Sequence, residues 1–114
     1  MTPENITERD IRYKLDDING DYYLLKKDMD KIHSCKVKNI SGTGVCIISL
    51  DDIKKNEIIF LYIHGNKENA IKSKVVWRME EQYGLQFVLD SNNDFKSVSY
   101  VMNHLAFEIN KNNP

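Results

Sequence analysis

Arginine is scarce in this chain, three residues against thirteen lysines, so the positions of Arg9, Arg12 and Arg78 stand out. A guanidinium is a planar, permanently charged fork of donors, and lysine does not replace it in bidentate recognition. A second group is the stretch Asn39-Ile40-Ser41-Gly42-Thr43-Gly44, which sets a carboxamide, a hydroxyl and two glycines close together. A carboxamide can pair with a base edge, a hydroxyl can donate to phosphate, and glycine permits close backbone approach. The same residue types dominate tight turns, so a turn or bulge with no ligand is the plain alternative. Charge is uneven: residues 31–78 carry nine positive and four negative side chains, net +5, while each flanking region is net −3. An anion would be most comfortable against the middle of the chain, although the bland reading of these lysines is the wet side of strands. The total of −1 gives no strong pull toward nucleic acid or acidic lipid.

Other chemistries find little support. His33, His64 and His104 lie far apart with no carboxylate or cysteine at a metal-site interval, so no metal is expected. Cys35 and Cys46 are too few for a disulfide framework and read as small buried hydrophobes facing each other across paired strands. A reduced, cytoplasmic protein is the expectation. Asp16-Asp17, Asp51-Asp52 and Glu80-Glu81 read as turn acids, and no nucleophile–base pair, phosphate loop or dinucleotide fingerprint is present. The expectation is a binding module, not an enzyme, without a cofactor.

These residues need a scaffold, and 114 residues suit one domain. Residues 1–10 read as a mobile arm and 11–110 as the domain. Ile11, Tyr13 and Leu15 alternate, Asn19-Gly20 signals a turn, and Tyr22 to Lys27 offers a second short strand. Further strands are expected over Ile32–Ile40, Val45–Leu50 and Ile58–Ile63. Ile71, Ser73, Val75 and Trp77 then share one face, which makes Trp77 core or rim, or else part of a ligand surface near Arg78. After a reversal over Glu80–Gly84, Leu85, Phe87 and Leu89 share a face of the last strand. Phe95, Val98, Met102, Leu105 and Ile109 recur at helical spacing after the capping residues Ser91–Asp94, which predicts a helix over about 93–110. Short strands separated by turns argue for an all-β fold, a small six- or seven-stranded antiparallel β-barrel closed by the C-terminal helix. No apolar stretch approaches the roughly 20 residues of a membrane-spanning helix.

Asn39-Ile40-Ser41-Gly42-Thr43-Gly44 resembles the second ligand motif of PilZ domains, bacterial receptors for cyclic di-GMP: Asp or Asn, any, Ser, any, any, Gly. Strand residues enter and leave it at Lys36-Val37-Lys38 and Val45-Cys46-Ile47. Val75-Val76-Trp77-Arg78 followed by Tyr83-Gly84-Leu85-Gln86-Phe87 is similar to the late hairpin of that family, and the likeness covers roughly residues 8–107. The other family motif is a pair of arginines separated by three residues. Here Arg12 precedes Tyr13 as the second arginine often precedes an aromatic, but Glu8 stands at the partner position and two residues separate Arg9 from Arg12.

The resemblance implies a receptor or adaptor that binds cyclic di-GMP and relays the event to a protein partner, since single-domain members lack an output domain of their own. It implies ligand contacts from Arg9, Arg12, Asn39, Ser41 and Gly44, with Gly42, Trp77 and Arg78 as further candidates for the ligand surface. The altered arginine spacing supports an alternative, an adaptor of the same fold that binds no nucleotide and acts through protein contacts alone. Weak binding of single-stranded nucleic acid ranks below both, because no exposed aromatic platforms alternate with the basic strands.

Overall fold

Alternation of apolar and polar residues builds most of the wall. In the computed structural model the described residues are 13–25, 31–63 and 69–111, without the side chains of Tyr13, Asp16, Asp17 and residues 106–111. Arg9, Arg12 and the arm expected over residues 1–10 lie outside them. The strands are β1 (Tyr13–Leu24), β2 (His33–Ile40), β3 (Gly44–Ile48), β4 (Ile58–Ile63), β5 (Ile71–Met79) and β6 (Gln82–Phe87), followed by helix α1 (Asn92–Lys111). They form a closed antiparallel barrel in the order β1-β2-β3-β6-β5-β4. Closure pairs each of these strands on both sides. Val37, Ile40, Val45, Ile47, Ile59, Leu61, Val75 and Leu85 fill the interior.

The turn expected at Asn19-Gly20 is absent: β1 runs straight through it and pairs with both β2 and β4. Gly20 serves packing instead. A side chain there would press on Cys35 Sγ at 3.1 Å and on Tyr62 O and Val37 Cγ2 at 3.2 Å. The two cysteines do not face each other either. Cys46 lies opposite Asn39, whereas Cys35 lies opposite Gly20 and joins the core, where burial pushes its thiol up to about 12. The last hairpin reverses at Glu80, whose φ of 57° is left-handed, so Gly84 is not part of the turn.

Helix α1 begins on a reciprocal cap: the Ser91 hydroxyl accepts from Asp94 N (3.2 Å), and the Asp94 carboxylate accepts from Ser91 N (3.0 Å). Val98, Val101 and Leu105 are buried and the helix lies against β5, while Phe95, expected on this face, is exposed. Phe95 sits in the first helical turn, one turn short of the residues that reach the barrel.

The chain after β3 is tied down by two tyrosines. Tyr22 donates to Asp51 Oδ2 (2.6 Å) and bonds Ser49 Oγ (2.7 Å); Tyr83 donates to Asp51 O (2.5 Å) and accepts from Ile53 N (3.1 Å). His33 stacks on Tyr22 with centroids 5.2 Å apart and its Nδ1–H donates to Asp51 (3.0 Å). Burial, and then the Asp51 carboxylate, raise the Tyr22 hydroxyl far above its ordinary value. The Tyr22 hydrogen bond, helped by His33, in turn lowers the Asp51 carboxyl. The stability Asp51 adds is therefore complete above its unfolded value of about 3.9 and fades as pH falls through its lower folded value. Acid unfolding should lose part of its pH dependence in Asp51→Asn, read by circular dichroism.

Candidate functional site

The strand registers align one outward-facing row around the wall. Lys14 lies opposite Asn39, Asn39 opposite Cys46, Cys46 opposite Gly84, and Gly84 opposite Trp77. Directly paired residues share a sheet face and have Cβ atoms about 5 Å apart, so these five form a continuous stripe. Beside it opens a groove of about 590 Å³ lined by Asn39, Thr43, Gly44, Trp77, Gln82 and Gln86, among others.

Irregular pairing creates the stripe. Between β2 and β3, two steps from Val37 to Asn39 match one step from Ile47 to Cys46. The extra residue, Lys38, turns Asn39 outward although Val37 points in. Between β5 and β6, two steps from Val75 to Trp77 match one step from Leu85 to Gly84. Simple alternation through Ile71, Ser73 and Val75 would bury Trp77; the bulge at Val76 leaves it 43% exposed on the outer wall. Its indole rests over Gly84, where any side chain would overlap Nε1 and Cε2. Trp77 thus lies on the outer wall and not in the core.

The loop after Asn39 is organised by Ser41. This residue is fully buried, and its hydroxyl oxygen accepts from Thr43 N and Gly44 N, both at 3.2 Å. Ser41 N donates to Gly44 O at 2.8 Å, closing the turn. In this arrangement Ser41 shapes the loop. Gly42, half-buried, occupies the bend with Thr43. Gly44 lies opposite Gln86, and a side chain there would overlap the Leu85 carbonyl. Its lack of a side chain serves close strand approach, not a left-handed backbone. Ser41→Ala should cost about 0.5–1.5 kcal/mol in urea unfolding, because two amides lose their acceptor.

Arg78 faces away from the stripe. Its guanidinium sits 5.1 Å from the Tyr83 ring centre, Nε donates to Glu80 O (2.9 Å), and Nη1 pairs with Asp52. That pairing lowers the Asp52 carboxyl and raises Arg78 further. Asn39, Gly44 and Trp77 come together; Arg78 does not join them. Sequence reasoning passed over Lys14, Gln82 and Gln86. The last two had a signal: Gln82, Gly84 and Gln86 alternate on one face of β6.

The groove lining carries no charged side chain among the described residues, only amides, a hydroxyl and the indole as polar groups facing it. Cations flank it: Lys14 at the end of the stripe, and Lys74 opposite Gln86. Such a surface suits a flat, hydrogen-bonding ring whose negative charge lies to one side. No group of His, Cys, Asp and Glu able to hold a metal occurs among the described residues.

The PilZ domain family model matches residues 11–102. The chain belongs to the PilZ domain family. Among solved structures, this PilZ domain is similar to the PilZ domain of CeSA from a cellulose-synthesizing bacterium, at a TM-score of 0.68 and 11% identity over 84% of this chain and 98% of that one. It is also similar to an uncharacterized Legionella protein, at a TM-score of 0.56 and 19% identity over 88% of this chain and 98% of the other. At these identities the likeness is one of fold. No curated protein matches the chain. PilZ domains are binding and adaptor modules.

Proposed function

We propose that this PilZ domain is a cytoplasmic receptor for cyclic di-GMP that relays binding to a protein partner. The observation that carries the reading is a register: Tyr13 pairs with Ile40 and Lys14 with Asn39. β1 therefore starts beside the Asn39–Gly44 turn, and Arg12 is the residue before its first one in sequence. The ligand presents two guanines and two phosphates. Guanidinium groups pair bidentately with phosphate or with guanine O6 and N7, so Arg9 and Arg12 supply the charge that the groove lacks. Asn39 offers its carboxamide to a guanine edge, and the exposed Trp77 face offers a stacking platform. Gly44 borders the same groove.

A second reading is favoured by one sequence feature. Glu8 stands where a binder's first arginine would be, and its carboxylate repels phosphate. On that reading the domain is an adaptor that binds no nucleotide. Calorimetric titration decides between them. The receptor reading expects a Kd of micromolar or tighter, about −8 kcal/mol, for the parent and at least tenfold weaker binding for Arg12→Ala. No binding at about 100 µM ligand, on the scale where a millimolar Kd is worth about −4 kcal/mol, retires the receptor and leaves the adaptor.

A further inference from the structure

We propose that the wall next to the nucleotide groove is a docking surface for a partner-protein segment that carries apolar side chains flanked by carboxylates. Its anchor is Leu50, 88% exposed at the end of β3. An apolar side chain in water is unremarkable on a loose loop, but Leu50 is held on both sides. Ser49 is buried and bonded to Tyr22, its backbone N–H donates to Glu81 O at 2.9 Å, and Asp51 is gripped by Tyr22, His33 and Tyr83. Buried bonds thus fix the backbone that presents an exposed leucine. Pre-ordering of this kind removes part of the entropy cost of binding.

The surroundings state the partner's chemistry. Ile32, 43% exposed, and the half-buried Ile48 share with Leu50 a groove of about 620 Å³. Lys31 and Lys36, both exposed, line the same groove. Lys36 bonds the neutral amide of Asn19 and makes no ion pair among the described residues. The one carboxylate in the lining, among the described residues, is Asp51, and it is committed to Tyr22 and His33. The surface therefore offers apolar anchors inside a positive rim, and complementarity calls for carboxylates beside an apolar side chain.

The two grooves adjoin. On the outer wall Lys36 lies opposite Ile48 and Ile48 opposite Gln82, while Gln82 also lines the nucleotide groove. A partner seated on Ile48 and Leu50 would border the nucleotide. The docking surface stands on its own residues, so it does not fall if nucleotide binding fails.

The test is selection of a random displayed peptide library on the full chain, followed by fluorescence anisotropy with the enriched peptides. Enriched sequences are expected to hold a large apolar residue flanked by Asp or Glu. Leu50→Asp, and separately Lys31→Glu with Lys36→Glu, should weaken them at least about tenfold with melting temperatures unchanged. The proposal is overturned if no peptide is enriched, if enriched peptides are basic, or if they bind Leu50→Asp as well as the parent. It is also overturned if sedimentation shows a parent dimer that Leu50→Asp dissociates, because the surface would then serve a second copy of this chain.

Discussion

Trp77→Ala is expected to weaken cyclic di-GMP binding by about ten- to a hundredfold while leaving the barrel folded, since stacking of a base on an aromatic side chain is worth about 1–3 kcal/mol. The expectation rests on where the bulge at Val76 puts the ring. Were Trp77 a core residue, its truncation would cost about 3–5 kcal/mol of stability. On the outer wall, 43% exposed, its removal leaves the packed interior of Val75, Leu85 and Val45 in place. Gly84→Ala supplies the matching test. A methyl group there overlaps the indole and must displace it, while the side chain has solvent to move into. Both variants should therefore bind weakly and melt near the parent temperature. A large loss of stability in Trp77→Ala would instead return Trp77 to the core. Calorimetry and thermal melting, run on the same preparations, separate the two effects.

Tyr22→Phe is expected to destabilise the domain by about 1–3 kcal/mol in urea or thermal unfolding, because it leaves buried groups without a partner. Only an oxygen atom is removed, so the ring's packing against His33 persists. The loss is the hydroxyl that bonds both Ser49 and Asp51. The same change removes the main cause of the low Asp51 carboxyl value, so the acid limb of the stability profile should become shallower. Tyr83→Phe provides a comparison, leaving Ile53 N and Asp51 O without their side-chain partner. If Tyr22→Phe melts with the parent and its acid limb is as steep as the parent's, the network contributes nothing to holding the chain after β3.

The fold is legible to the extent that side chains alternate simply. β2 around Val37, β4, and β5 as far as Val75 follow period two, and the spacing of Val98 and Leu105 gives the helix. The capping pair Ser91 and Asp94 is visible for the same reason: its chemistry is local. Legibility ends where one extra residue shifts a strand. Bulges at Lys38 and Val76 have no distinctive residue type, and each reverses the face of the residues beyond it, so simple alternation points Trp77 toward the core. β1 misleads in the other direction. Its Asn-Gly pair carries a turn signal, but Gly20 is pressed between Cys35, Val37 and Tyr62, so tertiary packing overrides the local preference. Of the candidate site, the Asn39–Gly44 turn can be read directly, since its bonds join residues two and three apart. The stripe cannot, because Lys14, Asn39, Gly84 and Trp77 meet only through cross-strand register.

Trp77 is the single tryptophan of the chain, and this makes the central claim directly measurable. Its fluorescence would be followed during titration with cyclic di-GMP, next to calorimetry of the same protein. The account predicts saturable quenching with the calorimetric Kd, since a guanine stacked on the indole must change its emission. Calorimetric binding with unchanged Trp77 emission would contradict it, as the nucleotide would then bind away from the stripe that runs from Lys14 to Trp77.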